Sequence, residues 1–347
     1  MQKKGNKYGT HRVISPKGVL PQPADKVDNN MDEIYDNEIL INVQTLNIDS
    51  ASFTDISTRA GGDKKKIAQI MMDIVAKQGK HRNPWTGSGG MLLGKVEKIG
   101  DALKGKIDLK VGDKIATLVS LSLTPLRIDK IKEIRADVDQ VDIEGKAILF
   151  ESGIYAKIPT DLPEKLALSA LDVAGAPAQT AKLVKPGDTV LIIGAGGKSG
   201  MLCCYEAKKR AGVTGKVIGL CHSEKSAKRL EDLGFCDVVF TANATQPVPV
   251  LEQIEKMTEG KLCDVTINNV NINDTEMTSV LCTKDDGVVY FFSMATSFTK
   301  AALGAEGVGK DVTMIIGNGY TKGHAEITLQ ELRECPKLKK IFTELYA

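Results

Sequence analysis

From Thr189 to Ile193 the chain runs apolar and β-branched, then breaks into Gly194, Ala195, Gly196, Gly197, Lys198, Ser199 and Gly200. A helix-compatible segment follows at once, over 201–211. That order is strand, tight turn, helix, in which the backbone N–H groups of a helix N-terminus are placed to hold a dinucleotide pyrophosphate. Glycines alone are weak evidence, and here the spacing is G-x-G-x-x-x-G rather than the usual G-x-G-x-x-G. Context strengthens it. A Pro186-Gly187-Asp188 turn precedes the strand, Gly215–Leu220 reads as a second strand, and Ser223–Leu233 as a charged helix. Strand, helix, strand, helix implies a parallel sheet. A P-loop is excluded, because Gly197-Lys198-Ser199 stands too close behind Gly194 for that motif.

The second strand bears on the choice of nicotinamide cofactor. An NAD site usually ends that strand in Asp or Glu, which grips the ribose 2′-hydroxyl. Cys221, His222 and Ser223 stand there instead, with Lys225 two residues on. Losing the carboxylate removes the repulsion that rejects a 2′-phosphate; Ser223 offers a hydrogen bond and Lys225 a charge. The pattern favours NADP over NAD and is compatible with use of both. Asn268 and Asn269 end a later strand, where carboxyl ends face the cofactor. They are expected to contact ribose or nicotinamide.

A chain of 347 residues suits two domains. Its net charge of +2 gives no reason to expect nucleic acid or an anionic membrane as partner. No apolar run approaches the ~20 residues of a membrane span, and Met1–Gly5 leads into polar sequence without a secretory signal. Seven scattered cysteines read as reduced thiols of a cytoplasmic protein.

The first half reads as β-rich, with strands at 38–47, 94–100 and 111–119 and an inserted amphipathic helix over 63–78. A long helix is expected from Leu166 to Leu183, then strands and helices alternating to about residue 316. The fold class is therefore α/β, with a β-rich domain over 1–160 and a doubly wound domain over 161–317. The segment 318–347 ends in a helix expected to pack back on the first domain.

A β-rich half carrying Val111-Gly112-Asp113-Lys114-Ile115, then a helix, then Pro186-Gly187-Asp188 and the glycine cluster, resembles the medium-chain dehydrogenase/reductase superfamily. That resemblance implies a GroES-like substrate domain joined to a Rossmann domain. The segments 8–23, 45–53 and 83–91 narrow it. They resemble the L-erythro-3,5-diaminohexanoate dehydrogenases of anaerobic lysine fermentation. The resemblance implies NAD(P)-linked oxidative deamination of a small diamino acid to 5-amino-3-oxohexanoate and ammonia, and a homodimer. Zinc-dependent members of the superfamily carry an early catalytic cysteine and a Gly-His-Glu segment. The first cysteine here is Cys203, and Gly89-Gly90-Met91 falls where Gly-His-Glu is expected, so the enzyme reads as free of metal.

Oxidising an amine requires a base for the ammonium proton, an acidic partner for the second ammonium and donors for the carboxylate. Asp49, with Ser50 beside it, is the favoured base or ammonium partner, though on sequence it reads equally as a turn cap. Glu151 is a second acid candidate. Ser52, Thr86, Ser88 and Gly89 suit close approach of the substrate, and Arg12 is the candidate for its carboxylate; an ordinary glycine turn and a surface arginine are the plain alternatives. Two other functions fit the same cofactor: a zinc-free NADPH-dependent quinone or enoyl reductase, and a non-catalytic NAD(P)-binding sensor.

Overall fold

A computed structural model describes residues 2–317 and 319–346; Met1, Asn318 and Ala347, and with them both ends of the 318–347 segment, lie outside the described residues. The chain divides into two compact units, Met1–Glu164 and Lys165–Ala347.

The first unit orders β1 (Val13–Ser15), β2 (Lys26–Val27), β3 (Glu38–Asn47), α1 (Ser50–Arg59), α2 (Lys64–Gln78), β4 (Met91–Ile99), β5 (Lys114–Thr117), β6 (Leu126–Arg135), β7 (Gln140–Phe150) and β8 (Tyr155–Lys157). Strands β6-β7-β3-β4-β5-β8 form one sheet, antiparallel throughout. Its core takes Ile41, Val43 and Leu46 from β3, Leu92 and Val96 from β4, and Ile67, Met71 and Ile74 from α2. The helical spacing read over 63–78 is that of α2, with Asp63 as its N-cap, its carboxylate accepting from the backbone N–H of Lys65 and Lys66.

Arg12 and Glu38 are both fully buried at the start of β3. Arg12 Nε and Nη2 donate to the two carboxylate oxygens of Glu38 at 2.8 and 2.7 Å. Its other N–H groups reach the Asn30 and Glu33 carbonyls, each at 2.8 Å, and Asp28 at 3.2 Å. His11 takes the Asn6 N–H on Nδ1 at 2.8 Å and so presents its Nε2 hydrogen to Glu38 at 2.7 Å. Burial would raise the Glu38 carboxyl, yet the hydrogen bonds of Arg12 and His11 hold it below the ordinary value.

The second unit orders α3 (Glu164–Leu171), which opens on the last residue of the first, α4 (Gly175–Leu183), β9 (Thr189–Ile193), α5 (Lys198–Ala211), β10 (Lys216–Cys221), α6 (Glu224–Leu233), β11 (Val238–Thr241), α7 (Pro247–Thr258), β12 (Cys263–Asn268), α8 (Glu276–Cys282), β13 (Thr283–Phe291), α9 (Phe298–Val308), β14 (Val312–Ile316), α10 (His324–Glu334) and α11 (Pro336–Tyr346). Its sheet is parallel with order β11-β10-β9-β12-β13-β14. Counted from β9 this is 3-2-1-4-5-6, the dinucleotide-binding order.

Two expectations are corrected. The helix expected over 166–183 is two helices broken at 172–174. Pro177 has no N–H to give the Val173 carbonyl and its ring excludes that group, so it falls in the first turn of a new helix. The C-terminal segment belongs to the second unit, with α10 on α4 and α5 and α11 on α5.

In the second unit Glu206 on α5 and Glu331 on α10 are fully buried. Glu206 accepts from Arg210 Nε at 2.7 Å, whereas neither oxygen of Glu331 has a partner. Burial, and then the Glu206 charge, push the Glu331 carboxyl well above its ordinary value of 4.5, so folded Glu331 keeps its proton to higher pH than the unfolded chain does. The unfolded chain gives that proton up near pH 4.5. Stability from this group is therefore complete below that pH and is lost as pH rises through the folded value. Glu331→Gln keeps the neutral shape, so thermal melts should fall less between pH 5 and pH 8 in the variant than in the wild type. Arg12→Met leaves Glu38 a buried, unpaired charge and should cost about 3–5 kcal/mol in urea unfolding at pH 7.

Candidate active site

The nucleotide elements lie in the second unit. Gly194 has φ +80°, and its N–H and that of Ala195 both donate to the Leu220 carbonyl at 3.0 Å, which ties the loop to β10. A methyl group on Gly200 would meet the Gly194 carbonyl oxygen at 2.1 Å, so helix and strand approach as only glycine allows. One on Gly196 would meet Ser226 Cβ at 2.7 Å and Cys221 Sγ at 3.3 Å. Gly197 is the N-cap of α5, and no side chain caps that end. The first-turn N–H groups of Lys198, Ser199 and Gly200 have no carbonyl within the helix to bond. Backbone donors, left-handed turn and close glycine contacts fit the diphosphate of a dinucleotide.

The side chains expected to serve that cofactor divide. Lys198 Nζ is spent on Asp172 at 2.7 Å, and Ser199 is buried. Cys221 is buried beside Gly196, and burial raises its thiol pKa, so a neutral group occupies the position of the usual carboxylate. His222 and Lys225 are exposed just beyond β10. Ser223 caps α6, its hydroxyl accepting from Ser226 N at 3.3 Å. The Asn268 side-chain amide is engaged internally by Thr275 Oγ1 at 2.8 Å, Ser279 Oγ at 2.9 Å and Val270 N at 3.0 Å, which leaves only its backbone for a cofactor. Asn269, by contrast, abuts Gly194 and keeps a buried Nδ2 without a partner.

In the first unit, α1 and the loop 81–90 meet. Asp49 is the N-cap of α1, and its Oδ2 accepts the Gly89 N–H at 3.1 Å. Ser52 is fully buried, with its Oγ 2.6 Å from Thr86 Oγ1 and 2.5 Å from Ser88 Oγ. Three hydroxyls so joined can each pass a proton and leave lone pairs over for a ligand. Asp49, Ser52, Thr86, Ser88 and Gly89 are thus one cluster. Gly89 fits it as a packing residue, since a Cβ there would meet the His81 carbonyl at 2.5 Å and its N–H is already given to Asp49.

Three expected residues stand elsewhere. Ser50 Oγ donates to Asp139 Oδ2 at 2.6 Å and so fastens α1 to the β6–β7 turn. Arg12 is consumed by Glu38 and cannot take a substrate carboxylate. Glu151 accepts from Asn37 Nδ2 at 3.1 Å. The β3–β7 register sets Phe150 opposite Glu38 and Gln140 opposite Asn47. Arg12 and Glu151 therefore lie near one end of β3 and Asp49 past the other, roughly 30 Å apart at the rise of a strand.

Sequence reasoning passed over four neighbours of the cluster. Asn83 Nδ2 donates to Ser52 O at 3.3 Å and Asp55 Oδ2 at 3.2 Å. Asp55 holds Arg59, and Arg59 lies 3.6 Å from the centroid of the Trp85 ring. The i, i+3, i+7 spacing of Ser52, Asp55 and Arg59 was the available signal, visible once 50–59 is known to be a helix. His81, fully buried, has both ring nitrogens unpartnered, and burial draws its pKa down to about 4, which keeps it neutral. Among the described residues no group of three His, Cys, Asp or Glu is placed to hold a metal ion.

Residues 11–159 match the family profile described as the L-erythro-3,5-diaminohexanoate dehydrogenase N-terminal domain, and 199–318 one described as zinc-binding dehydrogenase. The chain is 67% identical over 343 residues to a protein of Acetoanaerobium sticklandii named L-erythro-3,5-diaminohexanoate dehydrogenase, covering 99% of each. It is 62% identical over 344 residues to one of Fusobacterium nucleatum with the same name, again covering 99% of each. An Escherichia coli quinone oxidoreductase complexed with NADPH shares the fold at TM-score 0.50 and 18% identity, over 95% of this chain and 87% of that one. With both units matched end to end at such identity, the chain belongs to the L-erythro-3,5-diaminohexanoate dehydrogenase family, on the medium-chain dehydrogenase/reductase fold.

Proposed function

We propose that this protein is an NAD(P)-dependent amine dehydrogenase that oxidises L-erythro-3,5-diaminohexanoate. The observation that carries the reading is the identity of 67% along the whole chain to a protein of that name. The reaction takes diaminohexanoate, oxidised cofactor and water to 5-amino-3-oxohexanoate, ammonium, reduced cofactor and a proton. When bound, the nicotinamide accepts the hydride. The chain does the rest.

The substrate ammonium must lose a proton before its nitrogen can push out a hydride, and Asp49 is the carboxylate that takes it. Gly89 N–H orients that carboxylate. The Ser52, Thr86 and Ser88 hydroxyls bind the substrate and pass protons as water adds to the iminium and ammonia leaves. No step calls on zinc: the described residues offer no ligand set for it.

NADP is favoured over NAD, with both usable. Cys221 leaves no charge to repel a 2′-phosphate, and with Ser223 engaged as a helix cap the phosphate falls to Lys225 and His222. The protein acts in the cytoplasm as a homodimer, with neither nucleic acid nor membrane as partner. No described helix is long and apolar enough to cross a membrane. Strand β14 is a sheet edge, and Ile316 on it and Phe298 and Leu303 on α9 expose apolar side chains.

Mixing protein, 3,5-diaminohexanoate and NADP should raise reduced-cofactor absorbance and ammonia in equal amounts. Cofactor reduction without ammonia, or neither, refutes the reading; an enoyl or quinone reductase releases no ammonia, and a sensor turns nothing over. Asp49→Asn should lower kcat at least a hundredfold, within the usual ~10²–10⁴ of a general base. Lys225→Ala should weaken NADP about tenfold and leave NAD unchanged, measured by calorimetry.

A further inference from the structure

We propose that Arg59 is the residue that reads the substrate carboxylate, with Trp85 as the plate that holds its guanidinium in position; the inference rests on the amine dehydrogenase reading above. Such a substrate carries an obligatory anion, and the arginine expected to meet it, Arg12, is sealed in the interior. A cation must come from elsewhere.

Arg59 stands where one is wanted. Ser52, Asp55 and Arg59 share a face of α1, and the loop 83–88 lies along it through Asn83, Thr86 and Ser88. Arg59 Nε donates to both oxygens of Asp55 at 3.1 Å, and the guanidinium carbon lies 3.6 Å from the Trp85 ring centroid. These two contacts fix the plane of the group and leave Nη1 and Nη2 with no hydrogen-bond partner among the described residues. Two parallel N–H groups on a fixed plane match the two oxygens of a carboxylate. The hydrogen bond from Arg59 holds the Asp55 carboxyl below its ordinary value, so the clamp at Nε stays charged. The Arg59 side chain is 41% exposed and Trp85 52%, so the fork is open to a ligand.

The distances also suit the substrate. An arginine on a helix leans toward its N-terminus, here to the level of Asp55. That leaves roughly 5 Å of helix rise to the Ser52 hydroxyl cluster. The carboxylate carbon and the carbon bearing the amine to be oxidised are two carbon–carbon bonds apart, so a carboxylate held by the fork sets that amine toward the cluster.

Trp85 is the only tryptophan of the chain, so its fluorescence reports on the site directly. The test titrates wild type, Arg59→Met, Arg59→Lys and Arg82→Met with 3,5-diaminohexanoate and with its carboxamide, reading Trp85 fluorescence and steady-state kinetics. Arg59→Met should raise Kd and KM for the acid about ten- to a hundredfold, with the loss in KM rather than kcat and the KM for cofactor unchanged. Arg59→Lys should recover part of it, keeping the charge without the fork. The carboxamide should bind wild type as weakly as the acid binds Arg59→Met, and lose nothing further in that variant. The proposal is overturned if Arg59→Met binds the acid normally, if Arg82→Met carries the loss, or if the variant still prefers acid over amide as wild type does. Binding with no turnover refutes the dehydrogenase reading and leaves Arg59 assigned; turnover with Arg59→Met unaffected does the reverse. Absence of binding in wild type overturns both.

Discussion

A single close contact, Gly200 on the carbonyl of Gly194, sets the geometry of the nucleotide half. With a Cβ there 2.1 Å from that oxygen, no other residue lets α5 start so near the end of β9. β9 is central, flanked by β10 and β12. The loop is thereby pressed against Cys221 and Ser226 on one side and Asn269 and Val270 on the other, with the α5 N-terminus uncapped. The donors this loop offers to a phosphate are backbone N–H groups. Side-chain charge was easy to overvalue: Lys198, next to the glycines, is committed to Asp172.

The first unit divides its charged and polar groups along β3. At its start Arg12, Glu38 and His11 form a closed, internally satisfied group whose output is stability. Past its other end Asp49, the Ser52 hydroxyl cluster and the Arg59–Trp85 stack are partly open. The residue types are alike at the two ends. What separates function from structure is whether donors and acceptors are left over. Arg12 has none left; Arg59 has two nitrogens.

The alternation from Thr189 to Ile316 was legible because a parallel strand buried on both faces and a capped amphipathic helix are local signals. The β6–β7 hairpin was not. Ile128, Ile131 and Ile134 recur every three residues, which mimics a helix, because register shifts after Ile128 and Ile131 insert residues into a strand. Helix α1 was missed for another reason. Its Ser and Thr content gives it little intrinsic propensity, and it is held by tertiary contacts of Ser52, Phe53 and Ile56. Missing α1 concealed the shared face of Ser52, Asp55 and Arg59. The structure brings Asp49, Ser52, Thr86, Ser88 and Gly89 together, whereas the side chains of Ser50, Arg12, Glu151 and Asn268 are engaged by other partners, which sequence does not say.

The proposed reaction transfers a hydride from the amine-bearing carbon to a pyridine nucleotide. The most direct measurement uses 3,5-diaminohexanoate deuterated at the carbon oxidised, with the reduced cofactor and solvent analysed by mass spectrometry after turnover. One deuterium in the reduced nicotinamide ring is expected for each ammonia released. Deuterium recovered in water, with an unlabelled cofactor, would contradict it.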